Sequence, residues 1–382
     1  MKTVIIGCGF AADLYMGTVR NHPEIVVCGA YDTNKERMEL FCRYHRIASF
    51  ASMEEAINAA ELILNITNPR SHYAVNRAAI LNGKHVYSEK PLAMNLGEAK
   101  ELVDLASKAG VMLACAPATV LGESAQTMWC AIRDGRVGTP ELVFAEICDG
   151  PITLLSPENW VSESGAAWPL KNELDTGCTL EHAGYAVSWL TTFFGPVDYV
   201  GVTASAVRPD AAITSTPDFT CSVLTFRSGL VARVTCDIFS PRDRRIRVFG
   251  DEGVLTVADS WDMASPVTFS SRSKEEISMY RLAAEQLKPG FWPWLRPREL
   301  LHVRKPNFRS SGSAKGYARL DFCRGPAELI QAVSEGRDCR LNGKNGLHNL
   351  EVVLAMAAPR TGASGTSIQS PFFPTEPMPW AR

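Results

Sequence analysis

The sequence contains neither a long apolar run nor a long run of basic residues. No stretch of its 382 residues approaches the run of roughly 20 apolar residues that a membrane-spanning helix needs. Charges nearly balance, with a formal net charge of −2 and a sequence pI near 6.4. Such a chain offers no strongly basic surface to nucleic acid or to an anionic membrane. We therefore expect neither nucleic acid nor a membrane as its partner.

Paired cysteine motifs are absent as well. The eleven cysteines form no C-x-x-C pair and no cluster with histidine, a pattern that predicts reduced core thiols and neither a disulfide framework nor a metal site. The apolar run near the start, Val4 to Ile6, is too short for the core of a signal peptide. We therefore expect a cytoplasmic protein without a bound metal.

A glycine motif near the start predicts a dinucleotide site. A short β-branched run precedes Gly7 and Gly9, and a helical pattern follows Ala12. The first glycine permits a tight turn, the second lets the backbone approach a pyrophosphate, and the small third residue allows close helix packing. Phe10 and Ala11 lie in the same turn and join the predicted cofactor contacts.

The next predicted strand ends in an acid that bears on the choice of cofactor. Asp32 follows an apolar run, 20 residues after Ala12, where a carboxylate can accept the ribose hydroxyls. A carboxylate there repels a 2′-phosphate, so the sequence favours NAD over NADP. Lys35 and Arg37 lie close by and leave NADP open.

Strands and helices alternate over residues 1–120, which predicts a doubly wound parallel (Rossmann) sheet. Polar residues at two strand ends are expected at the cofactor edge: Thr67, Asn68, Pro69, His72, Glu89 and Lys90. His72 can equally cap the following helix. Lys90 can hold a substrate hydroxyl and stabilise a developing alkoxide, and with a lowered pKa it could also exchange the proton.

These motifs resemble those of the Gfo/Idh/MocA oxidoreductase family. The resemblance rests on Gly7-Cys8-Gly9-Phe10-Ala11-Ala12, on Thr67-Asn68-Pro69 with His72, and on Glu89-Lys90-Pro91. It implies hydride transfer between a nicotinamide cofactor and a sugar, cyclitol or related polyol. It also implies that Lys90 is catalytic and that a second domain contains an open, mostly antiparallel sheet.

Residues 121–360 are predicted to form that second, α+β domain, which binds substrate and supports oligomerisation. Tight glycine turns at residues 227–229 and 251–253 predict hairpins. A polar, aromatic-rich excursion over residues 261–317 is long for a loop and could cover the site or a subunit contact. The proline-rich tail, residues 361–382, is expected to lie extended on the surface.

The helical segment over residues 172–195 carries the remaining predicted site residues. Glu181 and Tyr185 are four residues apart and share one helical face. Family members usually have an aspartate and an acid/base histidine at these two positions. We expect Tyr185 to donate the proton and Glu181 to position a hydroxyl. His182 is the competing acid/base residue, one position off that face.

The leading hypothesis is an NAD(P)-dependent oxidoreductase that interconverts a secondary alcohol and a ketone on a sugar, nucleotide sugar or cyclitol. One alternative is a non-catalytic or regulatory nucleotide-binding homologue, which the altered histidine position favours and the intact Glu89-Lys90-Pro91 opposes. Another is a glycosidase that uses NAD as a redox relay. By analogy with the family, we expect a homo-oligomer, either a dimer or a tetramer.

Overall fold

The first part of the chain forms a parallel sheet flanked by helices. The computed structural model describes residues 1–207, 216–272, 299–305, 319–358 and 365–382. The strands of the first sheet are β1 (Lys2–Ile6), β2 (Val26–Tyr31), β3 (Ala48–Ser49), β4 (Leu62–Asn65), β5 (His85–Ser88) and β6 (Leu113–Cys115). The helices between them are α1 (Phe10–Val19), α2 (Lys35–His45), α3 (Met53–Ala59), α4 (Pro69–Leu81) and α5 (Leu96–Ala109).

The strand order is β3-β2-β1-β4-β5-β6, and every pair is parallel. Central strands covered on both faces need apolar side chains in both directions, and Val4, Ile5 and Leu62 to Leu64 are almost fully buried. The carboxyl ends of β1, β4 and β5 therefore meet at one edge, where ligands bind in such sheets. The Rossmann prediction is confirmed.

The second sheet is mixed and mostly antiparallel. Its strands are β7 (Pro140–Cys148), β8 (Val197–Ser205), β9 (Phe219–Phe226), β10 (Val231–Asp237), β11 (Ile246–Gly250), β12 (Gly253–Val257), β13 (Val267–Ser271), β14 (Glu299–Leu300) and β15 (Thr366–Ser367). They lie in the order β14-β13-β12-β11-β7-β10-β9-β8-β15. Among the described strands of this second sheet, only β7 and β10 pair in parallel. The two predicted hairpins correspond to β9–β10 and β11–β12.

Helices of the second half pack on this sheet and return to the first domain. They are α6 (Glu123–Arg133), α7 (Leu170–Thr176), α8 (Cys178–Phe194), α9 (Arg324–Glu335) and α10 (Gly343–Ala357). Helix α8 packs against β7 and β10, whereas α10 contacts α8 on one side and α5 and β6 on the other. These contacts place the α8 segment beside the carboxyl edge of the first sheet, where the two halves meet.

The end of the chain differs from the surface tail predicted from its prolines. Strand β15 pairs with β8, and Ile368, Met378 and Ala381 are buried. Proline-rich segments can pack in extended form, and composition alone does not distinguish a packed segment from an exposed one. Most of the 261–317 excursion lies outside the described residues. No helix in the described part of the chain is long and apolar enough to cross a membrane.

Candidate active site

The turn after β1 has the geometry that a dinucleotide needs. Gly7 has a φ of +98°, and a Cβ there would lie 2.6 Å from the carbonyl oxygen of Ile66. Only glycine fits this close approach of two strand ends. A Cβ at Gly9 would meet no atom within 4 Å, so the space above the start of α1 is open. The residues present therefore fit a pyrophosphate at the helix N-terminus.

Asp32 braces this turn through backbone contacts. Its carboxylate accepts hydrogen bonds from the N–H groups of Cys8 at 2.7 Å and Asn34 at 2.8 Å, and it remains partly exposed. Arg37 donates through Nε to the Cys8 carbonyl at 2.9 Å and through Nη1 to the Ser164 carbonyl at 2.7 Å. Two of its donor nitrogens thus bind backbone oxygens, whereas the Lys35 side chain is 83% exposed.

A segment of the second half crosses over the start of α1. Ser164 donates a hydrogen bond to Asp13 at 2.6 Å, and Ser162 contacts the same carboxylate oxygen. His45 lies 2.5 Å from the other oxygen. Burial alone would raise the pKa of Asp13, but the bonds from His45 and the serines lower it below its usual value. No local sequence pattern predicts this contact, because the two serines lie about 150 positions from Asp13 in a loop without a recognisable motif.

His72 lies behind the cofactor edge. Its Nδ1 is 2.6 Å from the carbonyl oxygen of Pro91 and its Nε2 is 2.9 Å from that of Thr67. The side chain is fully buried, and burial lowers its pKa. This position suits a residue that joins the two loops after β4 and β5. It differs from the direct cofactor contact that the sequence predicted. Asn68 and Pro69 begin α4, with Asn68 exposed at the edge.

Glu89 is tied to the protein by both carboxylate oxygens. Oε1 accepts a hydrogen bond from the Tyr15 hydroxyl at 2.6 Å, and Oε2 accepts one from the Lys90 N–H at 2.9 Å. Both bonds fix the backbone at the end of β5. Glu89 therefore orients Lys90, and its partly exposed side chain leaves room for the predicted cofactor contact.

The Lys90 side chain crosses from the first domain to helix α8. Its Nζ lies 2.5 Å from Oε2 of Glu181, and its side chain keeps 18% exposure. Burial opposes the charge, but Glu181, with Tyr185 and Glu173 beyond it, outweighs burial and raises the pKa of Lys90 well above its usual value. Lys90 is thus a fixed cation. The structure contradicts the prediction that a lowered pKa lets this amine exchange the proton.

Tyr185 faces the same amine one helical turn after Glu181. The Lys90 Nζ lies 5.8 Å from the centroid of its ring, and the Trp261 ring lies 4.1 Å away on another side. Burial raises the pKa of Tyr185, and Lys90 only partly offsets this effect. The phenol is therefore protonated at neutral pH. A neutral phenol beside a fixed cation can donate a proton to an oxygen that gains negative charge.

Asp149, Arg244 and Trp261 also belong to the site, although the sequence did not single them out. Asp149, just after β7, contacts Nδ1 of His182 through one oxygen and Nε of Arg244 at 2.5 Å through the other. The Trp261 ring centroid lies 3.5 Å from the Arg244 guanidinium carbon. The available signals were a strand-end aspartate and a basic cluster at residues 242–245.

Comparison with known proteins identifies the family of this chain. Residues 1–116 match the model of the oxidoreductase family with an NAD-binding Rossmann fold, GFO/IDH/MocA, and residues 125–256 match the model of that family's C-terminal domain. The chain belongs to the GFO/IDH/MocA oxidoreductase family. The expectation drawn from the three motifs is confirmed, and with it the NAD-binding class. The tyrosine at the usual histidine position stays a prediction.

Individual relatives are distant in sequence. An uncharacterized oxidoreductase of Schizosaccharomyces pombe is 26% identical over 203 residues, which cover 51% of this chain and 52% of that protein. The UDP-N-acetylglucosamine 3-dehydrogenase of Acidithiobacillus ferrooxidans is 24% identical over 67% of this chain and 74% of its own. A solved NAD-binding oxidoreductase of Klebsiella pneumoniae has a TM-score of 0.77 and 19% identity, with 97% and 99% of the two chains covered. This last likeness shows the fold alone.

Proposed function

We propose that the protein is an NAD(P)-dependent oxidoreductase that interconverts a secondary alcohol and a ketone on a sugar-like substrate. The observation that carries the proposal is the convergence of Lys90 and Tyr185, from different domains, on one small space: the ammonium lies 5.8 Å from the phenol ring. Family membership and the similarity to a nucleotide-sugar dehydrogenase support it.

The proposed reaction needs few protein groups. The nicotinamide supplies or accepts the hydride when the cofactor is bound. Lys90, held cationic by Glu181, binds the reacting oxygen and stabilises its negative charge. Tyr185 gives its proton to that oxygen during ketone reduction; in the reverse reaction, alcohol oxidation, only the phenolate form that this step leaves can take the proton back. Glu181 holds the amine through Oε2, and its Oε1 is the oxygen that would accept a substrate hydroxyl.

Asp32 supports NAD as the preferred cofactor. A carboxylate at the end of β2 accepts ribose hydroxyls and repels a 2′-phosphate. Arg37, a cation that could attract such a phosphate, already donates to the backbone oxygens of Cys8 and Ser164. NADP use remains open through the exposed Lys35.

The test is turnover measured as nicotinamide absorbance. The protein is incubated with NAD⁺, NADH, NADP⁺ or NADPH and a panel of free sugars, cyclitols, nucleotide sugars and their keto forms. We expect turnover with members of the panel, and loss of turnover in Tyr185→Phe with cofactor binding retained. Tyr44→Phe, an exposed phenol on α2, is the matched control. Cofactor binding without turnover across the panel would favour a regulatory homologue, and release of an aglycone from a chromogenic glycoside would favour a glycosidase.

We further propose a cytoplasmic homo-oligomer in which a second copy covers the outer face of the second sheet. Apolar residues are among those that its central strands turn outward: the ring centroids of Phe144 and Phe249 lie 5.1 Å apart, and Val223 is 45% exposed. Exposed apolar residues on an open sheet invite pairing. Light scattering should give at least twice the mass of one chain, and Val223→Asp should lower it.

A further inference from the structure

A second group of ionised side chains lies beside the Lys90–Tyr185 pair and has no part in the proposed hydride transfer. Asp149 follows β7, His182 lies on α8 and Arg244 precedes β11, so three separate segments bring them together. The Asp149 carboxylate contacts His182 Nδ1 through one oxygen and the Arg244 guanidinium through the other. All three residues are buried, which requires that the charges be paired.

The arrangement orients an imidazole. A buried carboxylate in contact with Nδ1 fixes the orientation of the ring. Nε2 is then the ring nitrogen that can hydrogen-bond to a ligand. Burial would raise the pKa of Asp149, but His182 and Arg244 hold it well below the usual range, so the carboxylate stays ionised. Nε2 of His182 makes no hydrogen bond to any residue that the structure describes, and the side chain keeps 11% exposure.

The groups around His182 favour its protonated form. Burial opposes the charge, and Lys90, from the first domain, opposes it too. Asp149, with Glu173 of α7 on another side, outweighs both, so the pKa of His182 is raised. Arg244 acts on the ring through Asp149, and Cys178 lies one helical turn before it on α8.

His182 and Tyr185 also share a neighbour. The Trp261 ring is nearly parallel to the imidazole at 6.1 Å and contacts the Tyr185 ring at 4.1 Å. Residues three apart on a helix lie on adjacent positions of one face. The imidazole and the phenol therefore border one space, although the sequence places His182 one position away from the Glu181–Tyr185 face.

We propose that His182, oriented by Asp149 and Arg244, is a further catalytic residue that hydrogen-bonds through Nε2 to a second substrate oxygen, on the carbon next to the reacting one. The sugar-like substrates proposed above carry a hydroxyl on that carbon, whereas a simple secondary alcohol does not. This inference rests on the proposed function, because Lys90 and Tyr185 define the reacting oxygen.

Glu173 also supports a substrate that carries oxygen atoms on two neighbouring carbons. Burial and the nearby Glu181 raise its pKa to about 7. This carboxyl therefore takes up a proton more readily than an ordinary glutamate, and it can accept a hydrogen bond from a hydroxyl in one form and donate one in the other. A site with an imidazolium donor and a carboxyl acceptor beside the Lys90–Tyr185 pair matches neighbouring hydroxyls better than a single alcohol.

The first test follows the imidazole itself by NMR, in the full chain and without turnover. The His182 signal is assigned by its loss in His182→Gln. We expect it to titrate above the ordinary histidine range, and His348, whose pKa burial lowers, to titrate below it. The signal should move on addition of trans-cyclohexane-1,2-diol in the presence of NAD⁺, and not with cyclohexanol. A neutral His182 at pH 7, or equal responses to the two probes, would overturn the proposal.

The second test compares the same probes by kcat/KM. The wild type should prefer the diol over cyclohexanol, and His182→Gln should lower that preference about 10- to 100-fold, the value of a hydrogen bond to a charged group. Asp149→Asn, a conservative change, should shift the basic limb of the kcat/KM pH profile to lower pH, since the imidazolium loses its partner. If both variants are active and neither the preference for the diol nor the pH profile changes, the proposed role of His182 is refuted and the proposed function is not. Absence of turnover in wild type would refute the proposed function, and the NMR titration would still decide the state of His182.

Discussion

The cofactor edge and the cluster around Lys90 are built on different principles. At the edge, backbone groups make most of the contacts: Asp32 binds two N–H groups, and His72 lies between two carbonyl oxygens. In the cluster, side chains bind side chains, as Lys90 does with Glu181 and Asp149 with Arg244. The edge is thus specified by local backbone geometry, and the cluster by the meeting of distant segments.

This difference determines what each region tolerates. A backbone-built turn depends on conformation, so changes there should alter folding or cofactor affinity and leave the chemistry intact. A cluster of paired charges depends on the identity of each partner, because a single removal leaves an uncompensated charge. We expect the two regions to separate in mutational data, with binding effects at the edge and kcat or pH effects in the cluster.

Lys90→Ala is expected to give the largest difference between the effect on kcat and the effect on cofactor binding. Loss of the fixed cation at the reacting oxygen should lower kcat by roughly 10²- to 10³-fold, as loss of one oxyanion donor does. The dissociation constant of the cofactor should change little. Lys100→Ala, an exposed lysine on α5, is the control. Equal losses of kcat and cofactor affinity would make Lys90 a cofactor anchor.

Two glycines in one turn should respond in opposite ways. Gly7→Ala forces a left-handed conformation and a clash with Ile66, so it should cost about 1–3 kcal/mol in the free energy of unfolding. Gly9→Ala has free space and an ordinary φ, so stability should hold while cofactor affinity falls. Denaturant titration and cofactor fluorescence separate the two effects. Loss of stability in Gly9→Ala would contradict an open pyrophosphate site.

Glu181→Gln should shift the pH dependence of the reaction. Glu181 raises the pKa of Lys90, so its removal lowers that pKa, and the amine loses its proton at a lower pH. The basic limb of the kcat profile should therefore move to lower pH, and kcat should fall over the pH range of that limb. Glu54→Gln, exposed on α3, is the control. An unmoved basic limb would show that the charge of Lys90 does not limit kcat.

The smallest effect is expected at Asp32. Asp32→Asn keeps an acceptor for the Cys8 N–H but removes the negative charge that faces a 2′-phosphate. The ratio of NADP to NAD affinity should rise several-fold, with little change in kcat for the preferred cofactor. Binding titrations with both cofactors measure it. A constant ratio would mean that other residues set the preference.

The cofactor edge could be predicted from the sequence more fully than the cluster around Lys90. Gly7, Gly9, Asp32 and the strand ends could be predicted, because short-range patterns carry the backbone requirements of the turn. Glu181 and Tyr185 could be predicted from the resemblance and the helical spacing. The rest required the three-dimensional structure.

The site positions of Asp149, Arg244 and Trp261 could not be predicted from the sequence. No local pattern distinguishes a strand-end aspartate or a loop arginine that contacts a site residue on another element. The contacts of Ser162 and Ser164 with Asp13 could not be predicted for the same reason. Helical spacing alone places His182 off the Glu181–Tyr185 face. It does not predict the contact between His182 and Asp149, which lies after β7. Pairings between segments far apart in the chain are set by tertiary packing, and a single sequence does not encode them visibly.

A crystal structure of the protein with bound dinucleotide tests the central claim most directly. If Lys90 and Tyr185 serve one reacting oxygen, the Lys90 ammonium and the Tyr185 hydroxyl should both reach one point about 3–3.5 Å from C4 of the nicotinamide. A phenol turned toward Trp261 and away from the nicotinamide, or an amine beyond reach of that point, would contradict it.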